Sequence, residues 1–432
     1  MSAPIHLSQL AQRTTEQPIS YLMREALARP ELISLAAGFV DQASLPVQDT
    51  RDALEHLLSQ PAQGRAALQY CSTMGDPGLR EILLSRLAAA DRTPPGKQSV
   101  EQVIVTAGSN ELLYLLGLTL LDPGDIVLCA APAYFVYLGA LRSFGVRTVG
   151  LEVDAEGIVT ESLKRAMEKF HAEGLAARIK AIYLTTYFDN PSSITTSSSR
   201  RAEIVQFAQR WSRTHQKIYI IEDAAYRDLR YYGDDIPSLM ASDEDGDTVI
   251  HTSSFSKSYS PGLRVGWGVL PPELVAPICN QQGNINFGAP HFSQQIMLAV
   301  LRSGSFEKHL EKICSDYLEK MQAMLQAAKT YLGNFPNVSW LPATGGLYVW
   351  MCIAGVDTGA EGPLFRRALD RGVLYVPGCH CFPEEGEPVR EDMIRLSFGV
   401  QSVDRIRQGM ESLAGAVQEV RAEESPAMSS EA

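Results

Sequence analysis

From Gln102 onward, short apolar runs alternate with amphipathic helical stretches for about 170 residues, and this rhythm constrains the fold more than any other feature of the chain. Strands are expected at residues 103–105, 126–129, 148–151, 180–184, 218–221, 249–251 and 265–269. Helical patterns at 111–121, 137–143, 161–170 and 200–213 separate most of them. Strands joined through helices pair in parallel, and both faces of the resulting sheet are covered. Such sheets carry their ligands beyond the carboxyl ends of the strands. The chemically suggestive residues of this region each follow one of the expected strands.

At 432 residues the chain is too long for one ordinary domain. Past Gly288 the rhythm changes to a helical region over 293–332, then strands at 338–340, 346–351, 373–376 and 394–398. This reads as a second, smaller α/β lobe bridged to the first by a long helix. Ahead of the rhythm lie an arm or short helix over 7–32, with Ile19, Leu22, Met23 and Leu27 on one stripe, and an extended piece over 33–39. Gly38, near the end of that piece, lets backbone approach a ligand closely. A helix over 47–59 follows, and the turn at Gly75-Asp76-Pro77-Gly78 opens another over 77–89. The expected division is an arm with part of the small domain (1–45), a large domain (46–290), a small domain with the bridging helix (291–420) and a Glu/Ser/Ala-rich tail (421–432).

A composition of 45% hydrophobic and 20% charged residues is that of a globular protein. The net charge of −12, with no basic block, argues against nucleic-acid binding, which needs clustered Lys and Arg. Seven scattered cysteines fit reduced thiols better than a disulfide framework. Cys379-His380-Cys381 has no second pair at ligand spacing, so no metal site is expected. The N-terminus lacks the pattern of a signal peptide, and no apolar run reaches the roughly 18 residues of a membrane span. A soluble, cytoplasmic protein is expected.

The stretch Ser253-Ser254-Phe255-Ser256-Lys257-Ser258-Tyr259-Ser260-Pro261-Gly262-Leu263-Arg264 sets one lysine among hydroxyls between two strands, with an arginine seven residues on. Taken alone it could be a serine-rich loop. It also suits an amine that forms a Schiff base beside a bound phosphate, with Ser254, Ser256 and Arg264 as phosphate donors. Ser109 and Asn110 stand where a strand gives way to a helix and can cap that helix, the commoner use, or hold a phosphate. Tyr134 follows the second strand, where its ring can be core or stack on a planar cofactor. Asn190 follows the fourth strand in a turn. Asp223 ends the fifth, apolar strand, where an acid needs a cationic partner; a protonated pyridine nitrogen would serve.

In chain order stand Tyr70 before Gly75, Gly108-Ser109-Asn110, Pro132-Ala133-Tyr134, Asn190-Pro191, Asp223-Ala224-Ala225-Tyr226, Ser254-Phe255-Ser256-Lys257, Arg264, Gly345-Gly346, Pro377-Gly378 and Arg395-Leu396-Ser397-Phe398. In these motifs and their order the chain, from about residue 33 to 398, resembles the class I/II pyridoxal-phosphate-dependent aminotransferases of fold type I. The arm, the Gly38 segment and the spacing of Arg264 are most similar to the aminoadipate, kynurenine and aromatic branch. The resemblance implies a seven-stranded, mostly parallel sheet in a large domain, a smaller α/β domain, and ping-pong transfer of an amino group from an α-amino acid to a 2-oxo acid through pyridoxamine phosphate.

It further implies that Lys257 holds the cofactor and moves the proton, that Asp223 keeps the pyridine nitrogen protonated, and that Tyr226 and Asn190 bond the phenolic oxygen. Tyr134 would stack on the ring, and Ser109, Asn110, Ser254, Ser256 and Arg264 would bind the phosphate. Tyr70 would reach the phosphate of the neighbouring subunit of a homodimer. Arg395 would bind the substrate α-carboxylate, assisted by Gly38 and Asn190. The chain departs from the family pattern at Thr186, Asp189, Ser192 and Ser193, where proline, glutamine, threonine and glycine are usual, and at Ala133, where threonine is usual. Two other readings share the scaffold: a pyridoxal-phosphate lyase or decarboxylase, and the effector domain of a transcription regulator. Some thirty residues before Ile33, without a basic recognition helix, are too few for the DNA-binding part of the latter.

Overall fold

The computed structural model describes residues 5–29, 31–94 and 96–424. Residues 425–432 of the expected tail, and the side chains of Met23 and Leu27, lie outside the described residues. Helices Gln9–Arg13 and Pro18–Ala28 precede a two-residue strand, β1 (Ile33–Ser34). Then come β2 (Val103–Thr106), β3 (Ile126–Ala130), β4 (Arg147–Leu151), a hairpin of β5 (Val153–Asp154) and β6 (Gly157–Ile158), β7 (Ile179–Thr185), β8 (Tyr219–Asp223), β9 (Val249–Ser254) and β10 (Gly266–Val269). The remaining strands are β11 (Val338–Trp340), β12 (Tyr348–Ile353), β13 (Val373–Leu374), β14 (Val376–Pro377), β15 (Glu385–Gly386) and β16 (Met393–Ser397).

The main sheet runs β15-β4-β3-β7-β8-β9-β10-β2, parallel throughout except for β10, which is antiparallel to both of its neighbours. Successive residues of its strands feed opposite faces. Val103, Val105, Ile126 and Leu128 enter one apolar cluster, and Ile104, Val127 and Cys129 enter the other. The expected continuous apolar runs therefore reflect burial on two sides, with each fully buried Val, Leu or Ile contributing about 1.5–3 kcal/mol.

The sheet has eight strands where seven were expected. The eighth, β15, pairs with the edge strand β4 through Glu385↔Val149 and Gly386↔Gly150. Two residues carry no readable periodicity, which is why the sequence did not show it. Its anchors are chemical. Arg147 makes a two-pronged pair with Glu385 at 2.8 and 2.7 Å, and a Cβ on Gly386 would lie 2.3 Å from the Gly150 carbonyl oxygen.

A second sheet, β11-β12-β16-β14, is antiparallel, and β1 pairs in parallel with β13. The helical region expected over 293–332 is two helices, His291–Ser303 and Ser305–Leu332, which meet at Gly304 with φ 73°. A left-handed residue interrupts the hydrogen-bond ladder, so the bridge is jointed rather than continuous. Helices Pro61–Ala67 and Pro272–Asn286 were not anticipated, the second because Pro277 lies inside it. The last helix, Val403–Glu424, takes in the start of the expected tail. Among the described residues no helix is long and apolar enough to cross a membrane.

Candidate active site

The loops after β2, β3, β7, β8 and β9 converge on a cavity of about 230 Å³ whose lining includes Ser109, Asn110, Tyr134, Asn190, Asp223, Tyr226, Ser254, Ser256, Lys257 and Arg264. All are residues that the sequence pointed to. Thr185, Ala225, Pro261 and the half-exposed Phe39 complete the wall.

At one end lies helix Ser109–Leu120. Its N-cap is Gly108, with φ 90°, and no side chain caps it, contrary to the capping expected of Ser109 or Asn110. Glu111 instead accepts from the Ala107 N–H, leaving the helix entrance facing the cavity. Gly108 is required here because a Cβ would lie 2.4 Å from Arg264 Nη2. Arg264 itself is left-handed at φ 52° and is held by backbone, donating to the carbonyl oxygens of Pro261 at 3.1 Å and Ala107 at 3.0 Å. Ser254 Oγ donates to Ser256 Oγ at 2.8 Å and accepts from the Ser256 N–H at 3.0 Å. A helix N-terminus, two hydroxyls and a guanidinium at one end of a cavity make an anion site.

Strand β8 sends its two acids to opposite sides. Glu222 is paired with Arg201 at 3.3 Å and His251 at 2.9 Å. Asp223 faces the cavity, where it accepts from the Ala225 N–H at 3.0 Å and the Tyr183 hydroxyl at 3.4 Å. Among the described residues no cation bonds to it. Burial therefore raises its carboxyl to about 6. Asp189 behaves alike: burial pushes it to about 6 against hydrogen bonds from Ser192. The unusual Ser193 adopts φ 62° and donates to the Tyr348 carbonyl oxygen at 2.5 Å, so the departures at 189, 192 and 193 build a self-bonded turn that positions Asn190.

Lys257 Nζ donates to the Gly38 carbonyl oxygen at 2.6 Å. Burial, together with the charges of Arg395 and Arg264, holds its ammonium below the ordinary lysine value. Arg395, on β16, is buried and donates to Asn190 Oδ1 at 2.7 Å and the Ala36 carbonyl oxygen at 2.9 Å. Its guanidinium lies 4.4 Å over the Tyr348 ring. Its Nε has no partner, and among the described residues no carboxylate pairs with it. A buried guanidinium without an acid is costly unless an anion arrives.

Tyr348 is the residue that the sequence reading missed. Its hydroxyl bonds Tyr226 at 3.0 Å, and a Cβ on Gly38 would lie 2.7 Å from it. Gly345-Gly346 just before it was the available signal. Tyr70 does not reach this cavity. It stands 80% exposed, its ring 6.1 Å from that of Phe287, which is also exposed.

The family model for class I and II aminotransferases matches residues 30–413. The aromatic-amino-acid aminotransferase 1 of Thermococcus litoralis is 29% identical over 390 residues, covering 90% of this chain and 88% of its own length. The 2-aminoadipate transaminase of Thermus thermophilus is 31% identical over 392 residues, covering 90% and 91%. The kynurenine aminotransferase of Pyrococcus horikoshii, solved with pyridoxamine phosphate, superposes with a TM-score of 0.87 at 27% identity, covering 96% of this chain and 97% of that one. The chain belongs to the class I and II aminotransferase family, and it is a pyridoxal-phosphate-dependent enzyme of fold type I.

The residues present fit that cofactor. The anion site accepts a phosphate, Asp223 offers a buried carboxylate that lacks a cation, and Lys257 offers an amine of lowered basicity at the same cavity.

Proposed function

We propose that this cavity transfers the amino group of an α-amino acid with an uncharged, aromatic-sized side chain to a 2-oxo acid. The observation that carries the reading is the buried, acid-free guanidinium of Arg395, beside Asn190 and within the same site as Lys257. It supports a two-pronged pair with the substrate α-carboxylate. Arg264 and Lys257 are committed to the phosphate end and the chemistry, so among the described residues no lining cation is left for an acidic side chain. Phe39 offers an apolar ring instead.

When bound, the cofactor supplies an electron sink for the charge left at the substrate Cα. Lys257 would hold the cofactor at rest and, once freed, accept the Cα proton as a neutral amine and deliver it onward. Asp223 would hold a proton at the pyridine nitrogen. Tyr226 and Asn190 would donate to the phenolic oxygen, and Tyr348, bonded to Tyr226, would fix that hydroxyl. Tyr134 would cover the ring. Ser109, Asn110, Ser254, Ser256 and Arg264 would bind the phosphate. Gly38 would keep backbone close to Lys257 Nζ and the substrate.

The same reading makes the enzyme a cytoplasmic homodimer, with Tyr70 reaching the partner's phosphate. Leu68, Tyr70, Ile285 and Phe287, from 53 to 80% exposed, support it as the apolar face of an interface. We further propose the division into a large domain (46–290), a small domain (291–420) and the arm (1–45).

The test is spectroscopic. The purified enzyme should show the visible absorbance of lysine-bound cofactor, lose it on addition of aromatic amino acids and recover it with 2-oxo acids. Lys257→Ala should lack both the absorbance and turnover. Release of ammonia or carbon dioxide in place of recovery would replace the reaction, and bleaching by acidic but not aromatic donors would overturn the substrate class.

A further inference from the structure

Outside the active site, among the described residues, three side chains of metal-binding type meet at one place: the ligand atoms of Cys71, Asp76 and His291 all lie within 4.8 Å of one another. We propose that they form a site for one divalent transition-metal ion of the zinc type, clamping the loop over 69–76 to the start of helix His291–Ser303.

The histidine is oriented as a metal ligand is. His291 Nδ1 lies 2.9 Å from the Gln69 carbonyl oxygen, which can only accept, so Nδ1 carries the proton and Nε2 presents its lone pair as an acceptor. That lone pair looks at Asp76 Oδ2 across 3.7 Å. Two acceptors facing each other need a donor or a cation between them. Gln295 Nε2 now serves as the donor, 2.7 Å from the carboxylate and 3.1 Å from the imidazole. An ion placed there would meet both lone pairs in its stead, and turning the Gln295 amide over would present an oxygen as a fourth ligand.

The second oxygen of Asp76 is fixed independently. Oδ1 caps helix Pro77–Asp91 by accepting from the Leu79 N–H at 2.9 Å, so the carboxylate is already ordered. Tetrahedral bonds of about 2.0–2.3 Å place ligand atoms roughly 3.3–3.8 Å apart, at most about 1.5 Å inside the present spacing and reachable by side-chain rotation. One sulfur, one nitrogen and one oxygen suit zinc or cobalt rather than magnesium or calcium. Cysteine binds a metal as thiolate, so binding displaces the thiol proton and strengthens as pH rises. Cys379, His380 and Cys381 take no part.

The experiment titrates chelator-treated, full-length, cofactor-loaded enzyme with Co²⁺ and then Zn²⁺. One equivalent per chain should bind, with intense tetrahedral d–d bands to the red of the cofactor and a thiolate-to-cobalt charge-transfer band. Zn²⁺ should bleach both. Cys71→Ser and His291→Gln should weaken binding by about 100-fold or more. Asp76→Asn, which keeps the helix cap and so the fold, should weaken it as well. Cys379→Ser should change nothing. Absence of stoichiometric binding, an octahedral spectrum without the thiolate band, or equal affinity in the Asp76→Asn and Cys71→Ser variants and the parent would overturn the site.

Discussion

At Asp223 a carboxyl only 5% exposed has one N–H and one distant hydroxyl as partners. Its folded value of about 6 stands above the ordinary 3.8, so without cofactor the folded protein keeps a proton that the unfolded chain has lost. The stability that this proton provides is complete below about pH 4 and disappears as pH rises to about 6, on the order of 3 kcal/mol. A pyridinium opposite the carboxylate removes the penalty. The gap in melting temperature between cofactor-loaded and cofactor-free enzyme should therefore widen from pH 4 to pH 7, and Asp223→Asn should flatten that rise. A gap independent of pH would mean that Asp223 meets no cation. Asp223 was legible because an acid at the end of an apolar strand needs a cationic partner, whereas Lys257 and Arg395 were legible through the motifs around them, Ser254-Phe255-Ser256-Lys257 and Arg395-Leu396-Ser397-Phe398, since a lysine in a serine-rich loop or an arginine in a strand says little alone. Tyr348 was not, since a tyrosine opening an apolar strand reads as core until the second sheet places it against Tyr226 and Gly38.

The same contrast holds among the elements. Strands β2 to β10 of the main sheet were legible from period and apolar run length, whereas β15 and the joint at Gly304 depend on a backbone neighbour and on one left-handed residue, neither of which has a period. Gly108 works at this scale too, because it lets helix Ser109–Leu120 begin against Arg264. Gly108→Ala would add a Cβ at a positive φ and 2.4 Å from that guanidinium. The expected result is cofactor affinity lowered by about tenfold or more, equivalent to about 1.4 kcal/mol, with the melting temperature of the cofactor-free enzyme changed far less. Equilibrium dialysis against the cofactor and a thermal melt separate the two. Equal affinity in variant and parent would remove the helix entrance from the phosphate site.

For the whole molecule, the question is whose cofactor Tyr70 serves. Pairing a Lys257→Ala chain with a Tyr70→Ala chain gives a hybrid whose single lysine-bearing site receives an intact tyrosine only if Tyr70 crosses the interface. If the enzyme is the homodimer proposed above, such hybrids, isolated by two affinity tags and assayed at limiting cofactor, should regain about half the parental activity, one of its two symmetric sites being whole. Activity no higher than that of the Tyr70→Ala homodimer would place Tyr70 in its own subunit or out of the site.

The pairing of β1 with β13 joins Ile33 to Val373, and β15 then closes the edge of the main sheet at Glu385. A ribosome adding roughly 5–20 residues per second needs about 20–70 s to make the stretch between the two partners of the first pair. Through that interval the beginning of the chain and the rim of the nascent sheet both present open backbone. Chaperone demand during synthesis should therefore peak late, and a chain cut short before Val373 would yield an aggregate rather than a smaller enzyme.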